Sequence, residues 1–237
     1  MKIKTILLFV SVGLCALLLT SCSDDGSSAP EEPVDTFDAS VVCPAEGVNG
    51  YGEPNRGTFT DARDGQVYKY TTIGTQVWMA ENLKFDAPYS VCYDKIEGFC
   101  DTFGRFYSLR EDGGQFGLLD RDLLDTVCPA GWHVPSMDEW NVLANSMGVG
   151  GPAMARLKSS ERFDENYEPG TDDCGFSSLP AGEMFKTGDV SGAYRFDVYW
   201  TSTAMNLQST YAPSLNSYRG ISFGQGAAKM VLRCVKD

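Results

Sequence analysis

The sequence has few of the residues that build metal sites and catalytic triads. Among its 237 residues there is one histidine, His133, and there is no Cys-x-x-Cys pair. Structural and catalytic zinc sites draw on several such ligands, so no metal site or cofactor is predicted. The nucleophile motif Gly-x-Ser-x-Gly is also missing, which leaves His133 without a triad, and no catalytic residue is predicted.

Positive charge is also scarce. Acidic residues outnumber basic ones by 32 to 19, which gives a formal net charge of −13. A chain this acidic is repelled by phosphate backbones and by anionic lipid head groups. The composition therefore excludes nucleic acid as a partner.

No apolar run is long enough to span a membrane. The first one, over residues 5–19, is shorter than the roughly 20 residues that a spanning helix needs. Lys2 and Lys4 precede it, and small residues separate it from Cys22, as in a secretory signal. The ending Leu-Thr-Ser-Cys resembles a bacterial lipoprotein box. We therefore expect residues 1–21 to be cleaved and Cys22 to carry fatty acids that anchor an exported, surface-exposed protein in the outer membrane.

The segment after this cysteine predicts a tether. Residues 23–40 are dominated by Ser, Asp, Glu, Gly and Pro, a composition that buries too little apolar surface to fold alone. We predict a disordered tether over residues 22–40, an N-terminal extension over 41–60, and a domain over 61–237. Asp24 and Asp25 resemble an acidic export signal, although ordinary linker acidity explains them equally well.

The cysteine count predicts disulfides. Of eight cysteines, Cys15 lies in the signal and Cys22 is the lipid site, which leaves six. Six cysteines in an exported chain indicate three bridges, with about fifteen possible connectivities. We expect two pairs and obtain the third by elimination: Cys92–Cys100, Cys128–Cys234 and Cys43–Cys174.

Local patterns predict a hairpin and a helix. Residues 66–73 and 76–79 are β-rich, and Gly74-Thr75 between them suits a type II′ turn. Ser136 with Glu139 forms a capping box, after which apolar residues recur at helical spacing until Gly148.

Weaker patterns complete the prediction. Residues 153–158 suggest a shorter helix, and 103–110 a third. Alternation over 194–200 and over 230–235 predicts two half-buried strands. The sequence thus predicts an α+β fold with two or three short helices, short antiparallel strands, long loops and disulfide staples.

Six blocks in a fixed order carry a family resemblance. The blocks are residues 73–83 (IGTQVWMAENL), 103–107 (FGRFY), 128–136 (CPAGWHVPS), 175–182 (GFSSLPAG), 199–203 (YWTST) and 231–237 (VLRCVKD). Together they resemble the Fibrobacter succinogenes major paralogous domain over residues 61–237.

The resemblance implies a location and a fold. That family comprises exported, lipid-anchored proteins without a known biochemical role, and its block order is similar to the C-type-lectin-like fold of formylglycine-generating enzymes. A domain of that fold pairs its first and last strands. The copper-binding cysteine pair of those enzymes has no counterpart here, so the resemblance implies the fold without the activity.

These observations favour a non-enzymatic binding domain, with an extracellular polysaccharide or another surface protein as its partner. Sugar sites combine aromatic faces with hydrogen-bonding side chains. The polar face of the predicted strand 194–200 and the loops after it supply such residues: Arg195, Asp197, Tyr199, Tyr211, Tyr218 and Arg219.

Two alternatives stay open. A carboxylate-dependent glycoside hydrolase would need two carboxyl groups about 5–10 Å apart, and no spacing singles out a pair. A purely structural envelope module would need no site. Glu53-Pro54-Asn55 matches a lectin sugar-binding tripeptide, but it precedes the recognisable domain, and we interpret the match as coincidence.

Overall fold

The structure is a computed structural model that describes residues 34–110, 119–149, 153–161, 164–165, 168–206, 209–215, 222–225 and 228–237. The predicted signal, Cys22, Tyr218 and Arg219 lie outside these ranges. Within the described ranges, no helix has the length and apolar character needed to cross a membrane.

The described residues form a mixed α+β domain whose named strands all pair antiparallel. The helices are α1 (Ala39–Val42), α2 (Phe99–Phe103), α3 (Arg121–Thr126) and α4 (Met137–Ser146), with a 3₁₀ turn at Met154–Arg156. The strands are β1 (Arg56–Thr60), β2 (Val67–Ile73), β3 (Gln76–Met79), β4 (Ser90–Val91), β5 (Phe106–Tyr107), β6 (Trp132–His133), β7 (Glu183–Met184), β8 (Val190–Ser191), β9 (Ala204–Asn206), β10 (Ser209–Ser214), β11 (Ser222–Gln225) and β12 (Val235–Lys236).

The main sheet has five strands in the order β1-β2-β3-β12-β6. The last strand lies inside it, because Val235 is opposite both Trp78 of β3 and His133 of β6. The expectation that the first and last strands pair is therefore wrong for β1 and β2: the last strand instead pairs with β3, the second strand of the hairpin that opens the predicted domain. Strand β1, which comes from the predicted N-terminal extension, forms one edge of the sheet.

The predicted hairpin is confirmed. Strands β2 and β3 pair from Tyr70–Met79 to Ile73–Gln76. Gly74 has a φ of +58°, which the first position of a type II′ turn requires and which glycine adopts without a steric penalty. Its amide also donates to the Val42 carbonyl oxygen at 2.7 Å, which joins the hairpin to α1.

Helix α4 is confirmed with its capping box. The Ser136 side chain accepts from the Glu139 amide, and the Glu139 carboxylate accepts from the Ser136 amide. The helix buries Trp140 and Leu143. The Trp140 ring lies 4.8 Å from that of Trp78, so the best-predicted helix and the best-predicted hairpin pack on each other in the core.

The helix predicted near residues 103–110 is wrong. Helix α2 ends at Phe103, and the chain then enters β5. Gly104 ends the helix with a φ of +79°, and a Cβ there would stand 2.7 Å from Asn82 Cβ. The helix predicted over 153–158 is reduced to the 3₁₀ turn, and α3 was not predicted.

The strand predicted over residues 194–200 is also wrong. The chain turns at 193–195, where the Arg195 amide donates to the Gly192 carbonyl oxygen at 2.9 Å. After the turn only isolated bridges form, at Asp197 and Tyr199. All four residues from 197 to 200 are buried, the even-numbered and the odd-numbered ones alike. The alternation of polar and apolar residues therefore does not separate a core face from a solvent face.

Three disulfides staple the domain, and their pairs are those expected from the sequence. Cys43–Cys174 and Cys128–Cys234 are buried, whereas Cys92 and Cys100 are partly exposed. Ahead of Cys43, the Asp35 carboxylate pairs with Arg156. Contacts with the domain thus reach into the segment predicted as a tether.

Candidate functional site

Among the predicted ligand-binding residues that the structure describes, two are buried and two reach the surface. Asp197 is 3% exposed and Tyr199 is 0% exposed, so the expectation that they face solvent is wrong. Arg195 is exposed, and Tyr211 on β10 is half-buried. The other two candidates, Tyr218 and Arg219, lie outside the described residues, and the binding role of the set stays a prediction.

The buried Asp197 joins three loop segments. Its carboxylate accepts hydrogen bonds from the Ser178 hydroxyl, from the Ser214 hydroxyl at 3.2 Å and from the Leu215 amide at 2.7 Å. The Tyr199 hydroxyl lies 2.7 Å from the same Ser178 oxygen. Burial raises the pKa of the Asp197 carboxyl, because the charged form loses its hydration.

Arg233 joins the segment at Asn82 to the loop that contains Ser178. Its guanidinium donates to the Asn82 side-chain oxygen at 2.9 Å, to the Ser177 carbonyl oxygen at 2.9 Å and to the carbonyl oxygen of Phe176. It also lies over the Phe176 ring, 4.4 Å from the ring centre. Asn82 in turn donates to the Phe103 carbonyl oxygen at 2.8 Å. Alternation over 230–235 placed Arg233 on a solvent face, whereas the structure buries it completely.

A second carboxyl with a raised pKa lies beside this network. Asp172 accepts from the Ser177 amide at 2.7 Å and from the Ser177 hydroxyl at 2.5 Å. Burial raises its pKa as it does that of Asp197. A raised pKa is what a general acid needs. Here, however, both carboxylates accept hydrogen bonds from the adjacent serines Ser177 and Ser178, which hold the loops.

The single histidine binds two carboxylates instead of a nucleophile. His133 Nε2 lies 2.7 Å from Glu139 Oε1, and Nδ1 lies 2.7 Å from Asp237 Oδ1. The hydrogen bond to Glu139 raises the pKa of the imidazole. The two ring nitrogens face different carboxylates, so the group does not converge on one point. No cluster suited to a metal ion is found within the described residues.

The lectin-like tripeptide also has a structural role. Glu53 pairs with Lys236 at 2.6 Å, which fastens the extension to β12. Asn55 is buried and donates to the Glu46 carbonyl oxygen at 2.6 Å. These contacts engage the Glu53 carboxylate and the Asn55 amide nitrogen within the protein.

One exposed aromatic turn was missed by sequence reasoning. Residues 86–90 form what we call the Tyr89 turn, closed by the Ser90 amide, which donates to the Ala87 carbonyl oxygen at 3.1 Å. Tyr89 has a φ of +57° and stays 48% exposed. Arg105 Nη2 lies 2.5 Å from Asp86 Oδ1 beside it. The proline at 88 was a turn signal, but nothing local indicated that the tyrosine ring would be exposed.

The comparisons with known proteins identify a family. The family model of the Fibrobacter succinogenes major domain matches residues 71–236. Neither a curated protein nor a solved structure matches the chain. The matched range begins within β2 and ends with β12, and it includes both raised-pKa carboxyls, Arg233 and the Tyr89 turn. The chain therefore belongs to the Fibrobacter succinogenes major domain family.

Proposed function

We propose that this chain is an exported envelope protein, anchored in the outer membrane through lipid on Cys22 and exposed at the cell surface, whose domain binds extracellular polysaccharide without converting it. The lipoprotein box supports the anchor. The three disulfides support export, because such bridges persist in oxidising compartments.

The observation that carries a binding role is that two acidic side chains, the buried Asp197 and the half-buried Asp172, serve to hold loops. Asp172 and Asp197 both hold loop segments through hydrogen bonds from neighbouring serines. Loops fixed by such interior bonds form a rigid platform on which surface side chains are presented in a set geometry. Rigid presentation favours recognition, and both oxygens of each carboxylate already accept hydrogen bonds that hold the loops.

We also propose that the fold is C-type-lectin-like. Short antiparallel strands, few helices and long disulfide-linked loops are compatible with that architecture. The position of β12 between β3 and β6 is the feature to compare in an experimental structure. A different order of strands in a crystal structure would remove this assignment.

A glycoside hydrolase is the alternative that one observation favours, because Asp172 and Asp197 have the raised pKa of a general acid. Incubation of the purified chain with cellulose, xylan and polygalacturonate distinguishes the two functions. Retention on a polymer with no release of reducing sugar is expected. If the wild type releases sugar and Asp172→Asn does not, the function is hydrolysis instead of binding. If the chain is neither retained on a polymer nor releases sugar from it, the structural module is the function that remains.

The anchor is tested separately. In a bacterial host that processes lipoproteins, the wild type should incorporate labelled palmitate and fractionate with membranes. Cys22→Ser should lose both properties, whereas Cys15→Ser is the control that should keep them. Labelling that persists in Cys22→Ser would contradict the proposed site.

A further inference from the structure

We propose that the Tyr89 turn, together with Arg105, is a binding site for the sugar units of a neutral polysaccharide. The inference rests on the proposed function and names its site and substrate class. The site contains an exposed aromatic ring, an exposed carboxylate and a guanidinium, the groups with which proteins stack on sugar rings and bind their hydroxyls.

The backbone of the turn is the first observation. Pro88 and Tyr89 occupy the central positions, and a φ of +57° at the second of them is the geometry of a type II turn. Glycine normally occupies that position, because a side chain there costs free energy. A bulky aromatic residue at positive φ is uncommon, and such strain is concentrated at functional sites.

A second tyrosine in the same protein shows that packing of the ring can offset the cost of a positive φ. Tyr194 also has a positive φ, of +66°, but its ring packs edge-on against Phe103 with centroids 5.4 Å apart. Burial of its ring compensates for the backbone strain. Tyr89 makes no aromatic or cation–π contact with the described residues and remains 48% exposed, so packing of its ring offsets less of the backbone strain.

Polar groups stand beside the ring. The Asp86 side chain is 79% exposed, and its Oδ1 accepts from Arg105 Nη2 at 2.5 Å, while the Ser90 hydroxyl donates to the Ala87 carbonyl oxygen at 2.7 Å. Within the described ranges, Asp86 Oδ2 has no partner. This oxygen can therefore accept a hydrogen bond from a hydroxyl of a sugar that stacks on the Tyr89 ring.

The support beneath the turn is rigid. Arg105 also donates from Nε to the Ser90 hydroxyl at 3.1 Å, and the Tyr107 hydroxyl donates to the Phe85 carbonyl oxygen at 2.7 Å. Gly104, next to Arg105, packs so closely on Asn82 that no Cβ fits there. Groups held in this way lose little conformational entropy when a ligand binds.

Charge selects the kind of polysaccharide. Asp86 already neutralises Arg105, and the whole chain carries −13. An anionic polymer such as polygalacturonate would be repelled, whereas a neutral polymer would not. The chemistry therefore fits neutral hexose or pentose units with one C–H face and hydroxyls at the ring edge.

The test measures affinity of the full chain for cellohexaose and xylohexaose by calorimetry, with polygalacturonate as the anionic comparison. Tyr89→Gly removes the ring and suits the backbone, so the variant should fold. It should lower affinity at least about tenfold. Tyr89→Phe keeps the stacking face and should stay within about twofold of the wild type.

The matched control is Tyr51→Ala. Tyr51 is equally exposed, at 48%, but it contacts the C-terminal residues Lys236 and Asp237. Loss of affinity in Tyr89→Gly with retention in Tyr51→Ala supports the site. Equal affinity of Tyr89→Gly and wild type overturns the site while the proposed function stands. If the wild type binds neither cellohexaose nor xylohexaose, the site and the proposed function are both overturned. A preference for polygalacturonate overturns the choice of a neutral ligand.

Discussion

A single guanidinium fastens two loops at the centre of this domain. Arg233 directs its donors at the Asn82 side chain and at the carbonyl oxygens of Phe176 and Ser177, all uncharged acceptors. Loop carbonyls that are buried must find donors, since water cannot reach them. An arginine suits this task, because its fixed fork of N–H groups serves several acceptors at once.

Arg233→Leu should therefore destabilise the fold strongly. It leaves Asn82 and two carbonyls without donors, for which we expect a loss of about 3 kcal/mol or more in unfolding free energy. Arg195→Leu is the control, because Arg195 is exposed, and should change the value by less than about 0.5 kcal/mol. Urea titration measures both, and equal effects would contradict the role of Arg233.

The raised pKa of Asp197 predicts that the stability of the folded protein depends on pH. Its pKa is raised in the folded protein from an ordinary 3.8, so the folded state holds its proton longer than the unfolded state. The stability that this carboxyl contributes is fully present below 3.8 and is lost as pH rises through the raised folded pKa. Asp197→Asn cannot titrate and should lose this dependence. Unfolding free energies of both proteins across pH 3 to 8 would show it, and parallel curves would contradict it.

Sequence patterns could not predict these roles. Asp197, Tyr199 and Arg233 are polar residues in alternating segments, and alternation assigns such residues to the solvent face. Their burial depends on loops distant in sequence, such as Ser178 and Leu215 for Asp197. No local signal records that a carboxylate will find its donors there.

At the scale of elements, locally stabilised pieces are the ones that were predicted. Helix α4 begins with hydrogen bonds within four residues, and the β2–β3 hairpin turns at a glycine whose geometry suits it. The segment over 194–200 instead depends on Gly192, whose φ of +74° starts the turn that replaces a strand. This local turn overrode the β-rich composition of the segment.

Ser136→Ala should weaken α4. It removes the side chain that accepts from the Glu139 amide at 3.2 Å, which we expect to cost about 1 kcal/mol of unfolding free energy. Ser146→Ala is the control on the same helix, because the Ser146 hydroxyl donates only to the Val142 carbonyl oxygen near the helix end. Thermal unfolding compares the two variants, and a larger effect at Ser146 would contradict the capping role.

At the scale of the whole molecule, the three disulfides differ in reach. Cys43–Cys174 spans 131 residues and Cys128–Cys234 spans 106, whereas Cys92–Cys100 spans 8. Cysteine counting predicted three bridges, because six cysteines remain once the predicted signal and lipid site are set aside, whereas the choice among the possible pairings was an expectation that the structure confirms. The insertion of β12 between β3 and β6 had no such signal, since pairing across the full chain leaves no local trace.

Mild reduction should open Cys92–Cys100 first, because its sulfurs are the partly exposed ones. Mass spectrometry after thiol alkylation should find Cys92 and Cys100 labelled ahead of the other four. Replacing this pair by alanine should cost about 2.5 kcal/mol, against about 5 kcal/mol for Cys43 and Cys174, because the longer loop restricts the unfolded chain more. Simultaneous labelling of all six would contradict this order.

The bridge between Cys43 and Cys174 also determines how the domain would respond to mechanical force. A pull on the chain ahead of residue 34 can separate Asp35 from Arg156 and unwind α1. At Cys43 the tension then crosses the covalent bridge to Cys174. Residues 44–173 lie inside the closed loop, so β1, β2 and β3 bear none of it. In a protein held against flow by its N-terminal end, a few residues ahead of Cys43 would thus yield, and the covalent path would bypass β1, β2 and β3.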